Sequence, residues 1–322
     1  MKVQNPSSIF RENEKMSKEE LDKIVTAILN EKVNTQPHDF ISRVIAHDYG
    51  ESNHKVLGIE GIFSHTETRI LKTSTGIVKN PDELMIILPD NENIPVEIAA
   101  IIGYQTYRVT DDKVKSLFET TEAVAHNLKK ISKIYIVTNY NEGTDERIYK
   151  YKSMDVVVHF INFDEEKIYE ILNTLKMKDY TIKEMSEEEF VNFIQAIAFV
   201  KAPYAQDFVE KSILFFATIE KMDEKHRLDT FHALKTMIKA YFKDDEMKKR
   251  GLMEMAVKSI PQPSIDKINT HSAIYKEIEA YKTLNEEMRI KIENQEEQLS
   301  EKDILISNLL EENKKLKSKT KK

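Results

Sequence analysis

The stretch NPDELMIILPDNENIPVEIAAII, residues 80–102, contains two apolar runs that decide the fold class. The runs at residues 84–88 and 94–102 are rich in β-branched and other apolar residues, and the polar stretch PDNEN lies between them. This pattern predicts a β-hairpin with a five-residue loop. Because the runs are apolar on both faces, we expect helices to cover both sides of the hairpin.

The segments on either side of this hairpin predict an α/β layer. Upstream, residues 38–46 have the pattern of a short helix, and residues 68–71 have that of a short strand. Downstream, Thr110 is a good first residue for a helix with apolar positions at 3.6 spacing, and the runs KIYIVT and DVVVHFI that follow are typical of buried strands. Asp164 then begins the next helix. Helices and strands in this order indicate an α/β fold class.

The remaining sequence predicts helices. Ser17 with Glu20 forms a capping-box pattern that begins the first helix, and residues 164–258 contain helical patterns without a further strand. Two prolines, at 261 and 263, end this helical part. We therefore predict an N-terminal helix in residues 1–36, an α/β domain in 37–165, a bundle of four or five helices in 166–263, and a coiled coil with a basic tail in 270–322.

The coiled-coil prediction rests on a heptad register that starts at Ile278. Alternate steps of three and four residues from there reach Leu316, and eight of the twelve positions are apolar. Asn285 and Asn313 fall at a positions, where two asparagines hydrogen-bond across a parallel two-stranded seam. The pattern predicts a parallel homodimer through residues 276–317, and a single charged helix is the alternative.

Composition and charge exclude several classes of function. The chain has 322 residues and no cysteine, which excludes disulfides, zinc–thiolate sites and a thiol nucleophile. The net charge of -7 lies entirely between the two terminal segments, where 38 acidic residues face 31 basic ones, and this argues against a body that coats nucleic acid. No apolar run is long enough to span a membrane. We expect a cytoplasmic protein without a membrane partner.

Two carboxylates of the hairpin are the candidate catalytic residues. Asp82 precedes the first strand, and Glu97 lies within the second, among apolar neighbours. A buried carboxylate is costly unless it is paired or bound to a metal ion. The alternative is that Glu97 faces solvent on an edge strand or contacts a lysine. The seven glycines do not form a dinucleotide fingerprint or a phosphate-binding loop.

The hairpin resembles the PD-(D/E)XK nuclease superfamily, and within it the recombination-promoting nuclease and transposase-like families. Pro81, Asp82, Glu97 and position 99 match the family pattern, and HDFISRVIA and TRILKTSTGIVKNPDEL resemble its upstream segments. The resemblance covers about residues 37–165. It implies a restriction-endonuclease-like αβββαβ core, here followed by the helical bundle and the C-terminal coiled coil.

The resemblance also implies a metal-dependent DNA endonuclease. Asp82, Glu97 and the backbone carbonyl of Ile98 would hold Mg²⁺, and a bound water would attack a phosphodiester of DNA. The family has Lys or Gln two residues after the Glu, whereas this chain has Ala99, which neither donates a hydrogen bond nor carries charge. Either Lys79, Gln105 or Arg108 takes that role, or the protein is an inactive nuclease-fold protein that acts as a coiled-coil interaction module.

Overall fold

A computed structural model describes most of the chain up to Ile265. The described residues are 7–31, 37–69, 71–76, 78–79, 81–89, 97–140, 142–151, 154–261 and 264–265. The predicted coiled coil and most of the predicted hairpin loop lie outside these residues.

The described strands form one six-stranded mixed sheet and a separate two-stranded ribbon. The order in the main sheet is β1-β4-β5-β6-β8-β7. Strands β1, β4 and β5 are antiparallel, β5, β6 and β8 are parallel, and β7 returns antiparallel to β8. The strands are β1 (Ile62–Thr66), β2 (Leu71–Lys72), β3 (Val78–Lys79), β4 (Glu83–Leu88), β5 (Ile98–Gln105), β6 (Ile131–Thr138), β7 (Glu146–Tyr151) and β8 (Met154–Asn162).

Helices precede the sheet, cross over it once and then follow it. The parallel step from β5 to β6 passes through α5, as a parallel connection requires. The described helices are α1 (Ser8–Asn13), α2 (Lys18–Asn30), α3 (Pro37–Asp48), α4 (Gly50–Leu57), α5 (Asp111–Leu128), α6 (Glu165–Lys176), α7 (Glu187–Phe199), α8 (Ala202–Phe216), α9 (Glu224–Tyr241) and α10 (Glu246–Lys258).

Side-chain alternation gives the central strands two buried faces. Leu84 and Ile86 of β4 and Ile101 of β5 point toward α5, where they pack with Phe118 and Val124 in one apolar core. Residues one position along each strand point the opposite way. Helix α4 contacts β1 and α7 on that other side, so helices cover both faces of the sheet centre.

Five of the described helices, α6 to α10, follow the sheet in the chain. Ser186 accepts a hydrogen bond from Glu189 N–H, and the Glu189 carboxylate accepts one from Ser186 N–H, so a capping box begins α7. This helix buries every residue from Phe193 to Phe199. It contacts α3, α4, α6, α8 and α9, which makes it the centre of the helical part.

The α/β layer and the helical bundle form a single compact unit. This unit extends to Ile265, and a second unit begins at Asp266. Helices α3 and α4 come before the sheet in sequence but pack on α7 and α9 beyond it. The predicted boundary at residue 165 therefore does not separate two cores, because the first helices of the α/β layer are also part of the bundle.

The central hairpin strands are confirmed, but their pairing differs from the prediction. A five-residue loop at residues 89–93 would pair residue 88 with residue 94. The ladder instead pairs Ile87 with Ile98 and Glu83 with Ile102. The connection between the strands is thus longer than five residues, and every pair shifts by three positions. Strands β1 and β7 were not predicted from the sequence, because both are short and largely polar.

The described helices include none that is long and apolar enough to cross a bilayer.

Arg227 is expected to be a main contributor to the stability of the bundle. Its side chain is 1% exposed and donates hydrogen bonds to the backbone carbonyls of Ser259, Ile219 and Glu220. Arg227→Met leaves these acceptors without their donor, so we expect the free energy of unfolding to fall by about 3 kcal/mol or more. Urea denaturation measures it. Lys23→Met on the surface is the matched control, with an expected change within about 0.5 kcal/mol. Equal effects of both substitutions would contradict this prediction.

Candidate functional site

Asp82 lies at the start of β4, at the edge of the sheet where β5 ends. Extending the ladder by one pair beyond Glu83 and Ile102 places Asp82 opposite Gly103. The Asp82 carboxylate accepts hydrogen bonds through Oδ2 from the Tyr104 N–H at 2.9 Å and from Lys113 Nζ at 2.6 Å. A Cβ atom at position 103 would lie 3.0 Å from Lys113 Cε. The lysine side chain of α5 therefore occupies the space beside Asp82 that the glycine leaves open.

Glu97 lies at the opposite end of the same pair of strands. It directly precedes the pair of Ile98 with Ile87, and its carboxylate forms an ion pair with Lys130. Glu97 lies six positions before Gly103, the residue opposite Asp82, which is about 20 Å along an extended strand. The structure therefore does not bring Asp82 and Glu97 together.

The magnesium site implied by the resemblance does not fit this arrangement. A Mg²⁺ ion holds its ligands at about 2.0–2.1 Å, so two carboxylates at opposite ends of a strand pair cannot share one ion. The proposed third ligand, the carbonyl of Ile98, belongs to the Glu97 end, where Ile98 pairs with both Ile87 and Ile131. Among the described residues, no group of three or more His, Cys, Asp or Glu side chains is arranged to hold a metal ion.

Three residues are candidates for the role of the family's Lys or Gln, which Ala99 cannot fill, and they also lie apart from one another. Lys79 forms an ion pair with Glu119 of α5. Arg108 is exposed in the connection that leads from β5 to α5. Gln105 is buried at the last position of β5, two residues beyond the position opposite Asp82. Of the three, Gln105 is therefore the one at the same edge of the sheet as Asp82.

The structure does bring together four polar residues next to Asp82, three of them buried and one, Tyr104, half-buried, which we call the Glu83 cluster. It consists of Asn53 of α4, Glu83 of β4, Tyr104 of β5 and Gln195 of α7. Glu83 Oε2 accepts hydrogen bonds from Asn53 Nδ2 at 2.8 Å and from the Tyr104 hydroxyl at 2.6 Å. Asn53 Oδ1 accepts a hydrogen bond from Gln195 Nε2. The cluster thus joins two strands to two helices.

Burial changes the protonation of Glu83. The residue is 3% exposed, and burial raises the pKa of its carboxyl group to about 8, against the lowering effect of the Tyr104 and Asn53 hydrogen bonds. The Asp82 charge raises this pKa further. Burial also raises the pKa of the Tyr104 hydroxyl, and the neighbouring Glu83 adds to that effect. A neutral carboxyl group therefore lies beside the Asp82–Lys113 pair at neutral pH.

Two oxygen atoms of the Glu83 cluster can accept further hydrogen bonds. Within the described residues, Glu83 Oε1 and Gln195 Oε1 are buried without a hydrogen-bond partner. A protonated Glu83 carries one hydroxyl donor, which an ionised carboxylate does not have. The neutral state therefore suits this environment, since an ionised Glu83 would expose its unpaired oxygen to an apolar surrounding.

A row of polar side chains marks the carboxyl edge of the parallel strands. The register aligns Gln105 of β5 with Thr138 of β6, and Thr138 with Asn162 of β8. In open α/β sheets this edge is the usual place for a ligand. Here α7 closes on part of it, because Asn139 Nδ2 donates a hydrogen bond to the Phe199 carbonyl at 2.9 Å. The edge is therefore used for packing between sheet and helices.

Sequence reasoning missed the Glu83 cluster, although one signal for it was present. The run ELMIIL begins with a glutamate that directly adjoins five apolar residues. A carboxylate in that position needs a partner. Its partner Asn53 lies 30 positions before it, and Gln195, which donates to Asn53, lies 112 positions after it. Both lie in segments without any matching pattern, so only the three-dimensional structure identifies them.

Glu83 is expected to make stability depend on pH. The pKa of its carboxyl group is raised from 4.5 to about 8 in the folded chain, so the folded state binds an extra proton between these values. The contribution of Glu83 to stability is complete below pH 4.5 and is lost as the pH rises through 8. The loss is about 5 kcal/mol, at 1.36 kcal/mol for each of the roughly 3.5 pKa units between the two values.

The substitution Glu83→Gln removes this titration and keeps a neutral side chain of the same shape. We expect Glu83→Gln to gain stability relative to the unchanged chain between pH 5 and pH 9, measured by urea denaturation at both values. Glu60→Gln is the control, because the Glu60 side chain is 85% exposed and should show no comparable difference. If the free energy of unfolding depends on pH in the same way in Glu83→Gln and in the unchanged chain, Glu83 is ionised over the whole range from pH 5 to pH 9 and the prediction is wrong.

Comparisons with protein-family models, with curated proteins and with solved structures find no match for this chain. A function for it must therefore be inferred from its own geometry.

Proposed function

We propose that this chain is a nuclease-like α/β protein that does not hydrolyse DNA and that acts as an interaction module through its C-terminal segment, residues 270–322. The observation that carries this proposal is the register of β4 and β5, which keeps Asp82 and Glu97 about 20 Å apart. Catalysis by a metal ion requires ligands that converge on one point.

The order of elements supports the nuclease-like part of the proposal. In chain order, α4 is followed by the antiparallel strands β1, β4 and β5, then by α5 and the parallel strand β6, with only the short β2–β3 ribbon inserted. This is the αβββαβ order that the resemblance implies. Fold and activity are separable, because one fold carries many functions.

Two ion pairs within the chain support the proposal that it does not hydrolyse DNA. Lys113 neutralises Asp82, and Lys130 neutralises Glu97. Both lysine side chains are largely buried, with 22% and 18% exposure. An ammonium group neutralises a carboxylate but does not lower the pKa of a bound water as a divalent ion does. A metal ion would have to displace a lysine at either position.

The charge of the chain and its heptads support the interaction module. The acidic excess of the central part opposes the phosphate contacts that DNA binding needs. The heptad pattern from Ile278 to Leu316 predicts an apolar seam of the kind that a second helix buries. A protein partner is therefore favoured over DNA.

Plasmid nicking tests the catalytic part. We expect purified protein to leave supercoiled plasmid intact with either Mg²⁺ or Mn²⁺. The nuclease activity that the resemblance implies remains a prediction, and the same assay checks it. Nicking that is lost in Asp82→Ala would contradict our proposal. Nicking that persists equally in Asp82→Ala and Glu97→Ala would be attributed to a contaminant.

The interaction part is tested by sedimentation of the full chain at tens of micromolar. We expect a parallel homodimer that Leu299→Ser with Ile306→Ser weakens, because both residues occupy a positions of the seam. The matched control is Glu297→Ser with Glu311→Ser, at outward f positions of the heptads that begin at Ile292 and Ile306, which should leave association unchanged. If the unchanged chain and both variants sediment alike, the homodimer seam is wrong.

A further inference from the structure

Strand β7 is an edge strand of the main sheet. In the described part of the chain, the strand order ends with β7. Its side chains are largely exposed, and Ile148 exposes 66% of its surface. An edge strand pairs readily with a further strand unless its side chains prevent this.

Glu146, Ile148 and Lys150 direct their backbone N–H and C=O groups outward from this edge. In an antiparallel ladder, hydrogen-bonded and non-hydrogen-bonded pairs alternate along the strand. Phe160 N–H donates to the carbonyl of Asp145 at 2.7 Å, so the bonded pairs with β8 fall on odd-numbered residues. The even-numbered residues of β7 are therefore the ones whose backbone groups face away from β8.

The same three residues form a pattern that is complementary to itself. Their side chains share one face of the sheet, because side chains alternate with period two. Glu146 and Lys150 lie at equal distances on either side of Ile148, with opposite charges. When a second copy lies antiparallel with its Ile148 against this one, each Glu146 faces a Lys150.

We propose that two copies of this chain join edge to edge through antiparallel pairing of their β7 strands, centred on Ile148. The outward backbone groups of both strands then bond to each other, and the two sheets become one continuous sheet. Two Glu146–Lys150 pairs flank a central contact between the isoleucines. This inference does not depend on the proposed function, because it involves neither the candidate site nor residues 270–322.

Other alignments of the two strands lose this complementarity. A shift by two residues in either direction places Ile148 opposite a charged residue and breaks both ion pairs. A parallel alignment in the same register places Glu146 beside Glu146 and Lys150 beside Lys150, and like charges across a strand pair are destabilising. The antiparallel arrangement also has the two-fold symmetry that closes a dimer.

Local contacts compete with the pairing at its ends. The Thr144 hydroxyl donates to the Glu146 carbonyl at 2.7 Å and accepts from the Glu146 N–H at 3.2 Å. The Glu146 carboxylate contacts His159 Nδ1 through Oε1 at 2.8 Å. The two hydrogen bonds between the Ile148 residues therefore form first, and the outer pairs form when the Thr144 hydroxyl turns away. We expect an association that depends on protein concentration.

Disulfide cross-linking of the full chain tests this register, since the chain has no cysteine of its own. Ile148→Cys places two thiols on directly opposed residues, with Cα atoms about 5.5 Å apart, within reach of a disulfide. Glu146→Cys alone, or Lys150→Cys alone, places the thiols four residues out of register, about 14 Å apart and too far to bridge. A mixture of Glu146→Cys and Lys150→Cys chains opposes them again.

We expect Ile148→Cys to form a covalent dimer under mild oxidation, and the mixed chains to form a heterodimer. Glu146→Cys alone and Lys150→Cys alone should form no covalent dimer. Val157→Cys is the matched control, because Val157 is 41% exposed and pairs with Ile148 on the neighbouring strand. The proposal is overturned if Ile148→Cys cross-links no faster than Val157→Cys, or if Glu146→Cys alone cross-links as fast as Ile148→Cys.

Charge-reversal substitutions in the Ile148→Cys chain distinguish a loss of β7 pairing from a folding defect. Lys150→Glu turns both opposite-charge pairs into like-charge pairs, and we expect cross-linking to fall roughly five- to thirty-fold. Adding Glu146→Lys restores opposite charges and should restore cross-linking, which a folding defect would not allow. Cross-linking that stays low in the doubly reversed chain would overturn the register. A coiled coil that joins the chains elsewhere would not produce this dependence on the charges of β7.

Discussion

The antiparallel register of β4 and β5 is the constraint on which the rest of the structure depends. It places Asp82 opposite Gly103 and Glu83 opposite Ile102. Because neighbouring residues of a strand face opposite sides, Asp82 points to the side of α5, and Glu83 points to the side of α4 and α7. A shift of one residue would exchange the two environments and move every apolar side chain of the strand to the other face. The register therefore decides which carboxylate meets a lysine and which one is buried.

The Glu83 cluster joins the two layers that this register separates. Asn53 donates to Glu83 and Tyr104 through Nδ2 and accepts from Gln195 through Oδ1. Apolar contacts alone would tolerate small displacements of α4 and α7 over the sheet. Buried hydrogen bonds do not, since a displaced partner leaves a polar group without compensation. We infer that the cluster fixes the position of these helices at some cost in stability.

Local chemistry explains which parts of the fold were predictable. Ser17, Thr110 and Asp164 accept hydrogen bonds at the first turns of their helices, and the same residues in the sequence predicted those starts. The central strands were predicted from their apolar runs. Strand β7 was missed because its sequence, ERIYKY, is mostly polar and its pairing depends on β8. Edge strands lack the two buried faces that make a strand recognisable.

The candidate site was less predictable than the fold, because it depends on register and on distant contacts. The sequence identified Asp82 and Glu97 as carboxylates next to strands, but a loop length determines which residues oppose each other. The predicted five-residue loop was too short, so the register could not be obtained from it. The contact between Asn53 and Gln195 spans 142 residues and follows from the packing of α4 on α7.

Charge balance around the sheet supports our proposal that the chain does not hydrolyse DNA. Asp82 contacts Lys113, Glu97 contacts Lys130, and Lys79 contacts Glu119, so three carboxylates of this region each have a lysine of the same chain. A phosphodiester brings negative charge and needs unpaired cations or a metal ion to receive it. To bind it here, the chain would first have to break its own ion pairs, whose lysines are shielded from water. Groups that are already paired with each other do not stabilise a developing charge as well as unpaired groups aimed at it, and the three ion pairs therefore support our proposal.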